Sequence, residues 1–255
     1  MCVAIYKPAN VKTPDLETLR YCWLANPDGA GFAMETENKN HKFVIRKGFM
    51  SFEAFEKAYN KYNLASYKGR LFLHFRIATH GGICAGNTHP FPITKDIKML
   101  QHCNVLANNV LMHNGVLPID PENKQISDTM ELARRLFAIG NPAEGLNLID
   151  GFIGTNKLAL LTPQKTILKG DWKEIDGVYF SNISWQPLTD YDYGYDNSYF
   201  WGCVPTKAER KLIKRGICPE CTGYCTTEDG YAYCEDCGAY YDLTQETKKG
   251  AKHDK

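Results

Sequence analysis

Neither sign of charge dominates this chain: 30 lysines and arginines stand against 29 aspartates and glutamates. No overall field would draw it to a polyanion such as nucleic acid, or to an acidic membrane surface. Long apolar runs are missing as well. No stretch approaches the ~20 residues that span a bilayer, and the start has no basic region followed by an apolar segment and a cleavage site. Neither a membrane anchor nor a secretory signal is expected, and the expected location is the cytoplasm. What the chain does have is the composition of a folded protein, 44% hydrophobic and 12% aromatic. At 255 residues it can hold one large domain and a small appendage.

Cysteine is not scarce. There are ten, and five lie between Cys203 and Cys234. In a reducing compartment, paired CxxC spacings favour metal over disulfide. The stretch "CPECTGYCTTEDGYAYCEDCG" carries two such pairs, Cys218 with Cys221 and Cys234 with Cys237, while Gly223, Gly230 and Gly238 permit the turns between them. Four thiolates around one tetrahedral Zn²⁺ would offset the near absence of a core in so short a segment, so residues 216–241 read as a zinc ribbon. Cys225 is the spare thiol and is not read as a ligand. Cys22, Cys84 and Cys103 are expected to be small buried hydrophobes.

Strand-like runs recur through the first three quarters of the chain: "CVAIYK", "GFAMET", "KFVIRKG", "RLFLHFRIAT", "NVLANNVLMHNG", "KLALLT", "KTILKG" and "GVYFSN". "KLALLTPQKTILKG" reads as a hairpin turning at Pro163 and Gln164. Three helical patterns lie between them. "TPDLETLRYCWLA" has Thr13 as cap and Pro14 at its first position. "SFEAFEKAYNKY" has Ser51 as cap and a Phe52, Phe55, Tyr59, Tyr62 stripe. "SDTMELARRLFAIG" has a Met130, Ala133, Phe137 stripe stopped by Gly140. Near residue 186 the periodicity fails. Residues 186–215 read as an irregular linker followed by a basic segment (Lys207, Arg210, Lys211, Lys214, Arg215), and residues 242–255 as a disordered tail. The basic segment is either a solvated helix face or a nucleic-acid contact beside the ribbon.

Chemistry-bearing residues collect at strand ends, in "HFRIATHGG", "NTHPF" and "LMHNGVL". Arg76, Thr79 and His80 together suit a planar carboxylate, because arginine offers a forked donor pair and threonine a hydroxyl. Asn114 and Gly115 suit a developing oxyanion, through a side-chain amide and a closely approaching backbone N–H. Asp128, in "SDT" at a helix start, would bind a cationic amine or cap the helix. Cys2 either opens a strand as a small hydrophobe or, once the initiator methionine is trimmed, combines a thiol with an α-amine of pKa about 8 that can serve as its base. The histidines have no helical i, i+4 spacing with an acidic partner and do not read as a metal centre.

These stretches, in order, resemble the class II glutamine amidotransferase domain of the N-terminal nucleophile hydrolases. The motifs are "MCVAIY", "PDGAG", "RIATHG", "NTHPF", "MHNGV" and "SDT", and the resemblance covers residues 1–185. It implies an α+β fold, a four-layer αββα sandwich of two β-sheets face to face with helices outside. It also implies a role for each matching residue. Cys2 would attack the side-chain amide of glutamine, with Asn114 and Gly115 as oxyanion hole. Arg76 and Thr79 would grip the α-carboxylate, Asp128 the α-ammonium group, and His80 would shape the pocket. His89 would support the strand ends. No cofactor is implied for the hydrolysis itself. Val3, the "NP" before "DGAG" and Ile77 depart from common members of the family without removing a catalytic group.

Such domains pass ammonia to an acceptor enzyme. The seventy or so residues after 185 are too few for a second catalytic domain, so the acceptor is expected on a separate chain, docked by the ribbon or the basic segment. Two other readings stay open: an N-terminal nucleophile hydrolase acting on another amide, and a nucleic-acid-binding or scaffold protein with a vestigial hydrolase domain.

Overall fold

The computed structural model describes residues 2–37, 42–78, 82–121, 123, 126–186, 207–219, 224–228, 230–234 and 240–244. In chain order the elements are strand β1 (Val3–Lys7), helix α1 (Leu16–Ala25), β2 (Ala30–Glu35), β3 (Phe43–Phe49), α2 (Phe52–Lys61), β4 (Leu71–Phe75), β5 (Phe91–Pro92), α3 (Ile97–Gln101), β6 (Asn104–Ala107) and β7 (Val110–Asn114). They continue with α4 (Asp128–Ile139), α5 (Pro142–Leu148), β8 (Lys157–Leu161), β9 (Thr166–Lys169), β10 (Lys173–Ile175), β11 (Val178–Phe180), α6 (Lys207–Ile213), β12 (Cys225–Glu228), β13 (Tyr231–Cys234) and β14 (Tyr240–Asp242). The chain divides into two compact units, Met1–Pro187 and Leu188–Lys255. Among the described residues no helix is long and apolar enough to cross a membrane.

The first unit holds two antiparallel sheets, one of seven strands in the order β10-β11-β1-β4-β2-β3-β6 and one of four in the order β5-β7-β8-β9. Strands β1 and β4, central in the larger sheet, are buried at every position. Both runs are mostly apolar, as a strand covered on both faces requires, and the polar residues they bury are Lys7 and His74. Alternation then sorts side chains to opposite faces. Val3 and Ile5 join Leu73 and Phe75 in a cluster with Leu19 of α1 and Phe52, Phe55 and Tyr59 of α2. The intervening Ala4 and Tyr6 share a second cluster with Phe72 and with Val110, Met112, Ala159 and Leu161 of the smaller sheet. On that sheet's other face Leu111, Leu158 and Leu160 meet Met130, Ala133 and Leu136 of α4 and Leu146 of α5.

Three sequence expectations are corrected. Thr13 does not cap α1: Asp15 does, its Oδ1 accepting from the Thr18 amide at 2.8 Å, with Pro14 placed just before the cap. Phe137 is exposed, since the buried stripe of α4 runs through Thr129, Leu132, Ala133 and Leu136. Cys84 is exposed and Cys103 half-buried, leaving only Cys22 of those three inside. Ser51 and Gly140 end their helices as read, Ser51 accepting from the Ala54 amide and Gly140 in a left-handed conformation.

The second unit contains α6 and a three-stranded sheet in the order β12-β13-β14, with Ile213, Cys218, Cys225, Ala232, Cys234 and Tyr241 in its small core. Thr79, His80, Cys221, Cys237, the linker at 187–206 and the tail from 245 lie outside the described residues.

Candidate active site

Cys2 stands immediately before β1, and Arg76 immediately after β4. The two strands are antiparallel neighbours in register Val3↔Phe75 and Ala4↔His74. The pairing carries the Cys2 thiol onto the backbone beyond Arg76, where its sulfur lies 3.3 Å from both the amide nitrogen and the carbonyl oxygen of Ile77. Burial pushes the thiol pKa up, while the Ile77 amide and the Arg76 charge oppose it. A thiol held in this way needs a local base to become a thiolate.

Arg76 is buried, and its Nη1 donates to the Gly82 carbonyl at 3.4 Å. The "PDGAG" segment holds its backbone. Asp28 N donates to Arg76 O and Arg76 N to Gly29 O, at 2.9 and 2.8 Å, and the Asp28 carboxylate accepts from the Ala78 amide at 2.7 Å. Within the same segment Gly31 abuts the next motif, for a Cβ there would fall 2.2 Å from the His89 carbonyl oxygen.

Asn114 ends β7 and is buried, its Nδ2 donating to Ser181 Oγ at 2.9 Å. Ser181 Oγ also accepts from the Ala4 amide at 2.9 Å, and the Ser181 amide returns a bond to Ala4 O at 2.8 Å. Next to it, Asn182 Nδ2 donates to the Cys2 carbonyl at 2.7 Å. A strand end some 180 residues away in sequence thus grips the chain on both sides of Val3. Gly115 follows at φ +137°, a conformation that L side chains rarely adopt. Ser181, Asn182 and Asn156 were not singled out from the sequence; short polar residues flanking apolar strands, after one in "YFSN" and before one in "GTNK", are the one signal that points to them.

Asp128 opens α4 but is not its cap. Ser127 caps, accepting from the Met130 amide. The Asp128 carboxylate instead accepts from the Leu117 amide at 2.8 Å and from the Thr129 amide at 2.7 Å, so it holds the loop that follows Gly115. Beneath them His113 places Nδ1 2.9 Å from Thr129 Oγ1 and Nε2 2.9 Å from Asn156 Oδ1. Asn156 Nδ2 donates to Ile153 O, which leaves its Oδ1 as acceptor, so Nε2 of His113 carries the proton; the Thr129 hydroxyl lies between Nδ1 and Asp128 Oδ1, 3.2 Å from the latter. His74 Nε2 donates to the His113 carbonyl at 3.1 Å and ties the two sheets together. His89 packs on His74 with ring centroids 4.2 Å apart. Burial drives His74 down to about 3 and lowers His89 and His113 as well, so the three rings are neutral at physiological pH.

In the second unit Cys218 and Cys234 lie with Cys225 in one buried group, their sulfur atoms within 4.8 Å of one another. It is the one group of metal-ligating side chains so gathered among the described residues. Cys225, set aside in the sequence, is in it because it pairs directly across β12 and β13 with Cys234. The soft, compact donor set suits a thiophilic cation such as Zn²⁺. On α6 the side chains of Lys207 and Lys211 are exposed, as are Lys214 and Arg215 in the turn that follows it, whereas Arg210 donates to Leu243 O at 2.8 Å.

No protein-family model matches the chain, and no curated protein matches it. Among solved structures it is similar to the glutamine phosphoribosylpyrophosphate (PRPP) amidotransferase from B. subtilis complexed with ADP and GMP, at 18% identity and a TM-score of 0.45, covering 71% of this chain and 41% of that one. It is likewise similar to a structure described as the allosteric regulatory enzyme of purine biosynthesis, at 18% identity and a TM-score of 0.44, with the same coverage. The chain spans about two-fifths of the length of each. The likeness is one of overall arrangement and says nothing of chemistry in this chain.

Proposed function

We propose that residues 1–185 are a class II glutamine amidotransferase domain, a four-layer αββα sandwich that hydrolyses glutamine through a Cys2 thioester. The observation that carries this reading is the shared grip of Ser181 on Ala4 and Asn114, which sets an amide donor beside the strand that begins with the thiol. The three apolar clusters, one between the sheets and one on each outer face, support the four-layer arrangement.

With Met1 removed, the α-amine of Cys2 takes the thiol proton and the thiolate attacks the glutamine side-chain carbonyl. The oxyanion is met by Asn114 Nδ2 and the Gly115 N–H. The ammonium returns its proton to the leaving nitrogen as the C–N bond breaks, releasing ammonia, and water then cleaves the thioester to glutamate and the free thiol. Arg76 with Thr79 holds the α-carboxylate, Asp128 the α-ammonium group, and His80 lines the pocket. Because burial raises the thiol pKa, the reaction depends on a base within reach, which a free amine on the same residue supplies.

The test is glutamate release by purified protein whose mature terminus has been read by intact mass. Wild type starting at Cys2 is expected to hydrolyse glutamine, and Cys2→Ala to lose activity to background. Activity that survives in Cys2→Ala, or that needs Met1 in place, would overturn the assignment.

The ammonia is taken by an acceptor enzyme on another chain, and a reducing cytoplasm keeps the thiols free. For the second unit we propose a zinc ribbon at residues 216–241, with Cys218, Cys221, Cys234 and Cys237 as ligands. The basic face of α6 or the ribbon docks the acceptor; a shift of labelled RNA or DNA by the purified chain would favour nucleic acid there instead. Zinc supplies folding energy that so small a core lacks. One zinc per chain is expected by elemental analysis, and stripping it with a chelator is expected to remove the thermal transition of residues 207–244 while leaving that of the first unit. Cysteine-to-alanine variants read the ligands: loss of zinc in Cys225→Ala with retention in Cys221→Ala or Cys237→Ala would redraw the set around the three gathered thiols.

A further inference from the structure

Ser181 and Asn182 take no part in the chemistry just described, yet between them they hold both of its reacting parts. The Ser181 hydroxyl oxygen accepts two hydrogen bonds, one from the Ala4 amide and one from Asn114 Nδ2. Those occupy both of its lone pairs. An amide nitrogen carries two N–H groups, so the bond to Ser181 fixes the plane of the Asn114 carboxamide and leaves the second N–H to point elsewhere. Ser181 is itself buried and cannot swing aside. Its backbone is fastened to Ala4 O, and Asn182 Nδ2 holds the Cys2 carbonyl at 2.7 Å while Asn182 Oδ1 accepts from Ser184 N and Oγ. The strand end is thus pinned at both of its side chains.

We propose that Ser181 is a positioning residue for glutamine hydrolysis, orienting the Asn114 amide toward the oxyanion and locking it to the nucleophile's strand. The inference rests on the glutaminase reading above. Its hydroxyl is spent on Ala4 and Asn114, so its effect on the chemistry runs through the Asn114 amide and is confined to the step in which negative charge develops.

Removing an oxyanion donor outright costs about 10²–10³ in kcat; letting the donor rotate costs part of that. Ser181→Ala is expected to lower kcat for glutamine by about 10- to 100-fold with KM and the competitive inhibition constant of glutamate unchanged. Alkylation of Cys2 by iodoacetamide, a displacement at saturated carbon in which no oxyanion forms, is expected to keep its wild-type rate, read on the Cys2 peptide by mass spectrometry. Placed in an Asn114→Ala background, the same substitution is expected to lower kcat no further, because residues acting as one unit are not additive. Should Ser181→Ala fail to fold, Ser181→Cys keeps the buried volume, substitutes a weak acceptor and is read the same way. A wild-type kcat in the folded variant, or equal losses in kcat, glutamate binding and alkylation, would overturn the positioning role while leaving the glutaminase reading intact. A wild-type protein that releases no glutamate would overturn both.

Discussion

Gly115→Ala is expected to lower the stability of the first unit by about 2–6 kcal/mol and to take glutamine hydrolysis with it. Two penalties add. At φ +137° an alanine is strained, a cost of roughly 1–3 kcal/mol. Its Cβ would also sit 2.0 Å from Asn156 Oδ1 and 2.8 Å from Asn156 Cγ, and forcing an atom into a filled site costs roughly 1–3 kcal/mol more. Asn156 cannot retreat cheaply. Its Oδ1 takes the His113 Nε2 proton and its Nδ2 donates to Ile153 O, both within a buried network. At roughly 2–4 °C per kcal/mol for a unit of this size, thermal melting should fall by roughly 4–24 °C. Gly140→Ala is the control, since Gly140 is also left-handed, at φ +79°, but a Cβ there meets nothing within 4 Å. It should show the strain alone. Equal losses at the two glycines would mean that the Asn156 contact is not what holds Gly115 as glycine.

That asymmetry between the two glycines also marks how far the sequence could be read. Gly140 was legible because its reason is local: it ends an amphipathic stripe. Gly115 was legible only as part of "HNG", and its steric reason, Asn156, is supplied 41 residues on, just before β8. The same division runs through the site. Cys2, Arg76 and Asn114 stood out because each is a chemically capable residue at the end of an apolar run, and Asp128 because it is a carboxylate in "SDT" at a helix start. Ser181 and Asn182 did not, since their meaning depends on β11 pairing with β1 in the register Ile5↔Phe180, a contact between opposite ends of the first unit that no local pattern encodes. Strands and the three long helices were visible in hydrophobic periodicity. The short helices α3 and α5, at five and seven residues, are too brief to express a period. The place of Cys225 beside Cys218 and Cys234 was hidden for the same reason as Ser181: spacing along the chain picks out the CxxC pairs, while cross-strand pairing with Cys234 decides who its neighbours are.

Lys47 should contribute a rise in the first unit's stability with pH between about 7 and 10, and Lys47→Met should remove that contribution. Lys47 lies on β3 with its ammonium group removed from water. It is buried, its Nζ donates to Gly86 O at 2.9 Å and Leu100 O at 2.7 Å, and it sits 3.9 Å from the centre of the Phe91 ring. A neutral amine has two N–H groups, and two carbonyls receive them; the ammonium form brings a third proton and a charge that burial penalises. Desolvation therefore lowers its pKa to about 7, against a weaker opposing pull from Cys103 and Cys84. The sign follows from proton counting. Above pH 7 the folded chain has released this proton while the unfolded chain keeps it up to the ordinary lysine value of about 10.4, so the unfolded state binds more protons and stability climbs with pH, by up to about 1.4 kcal/mol per pH unit. Methionine keeps the length without the charge, at the cost of leaving two buried carbonyls unpaired, about 1–3 kcal/mol. Chemical denaturation of both proteins from pH 6 to 10 gives the comparison. The variant should come nearest to wild type at pH 6 and fall progressively behind toward pH 10, whereas parallel curves would mean that Lys47 keeps its proton throughout and that its two carbonyls, with the face of Phe91, hold an ammonium ion.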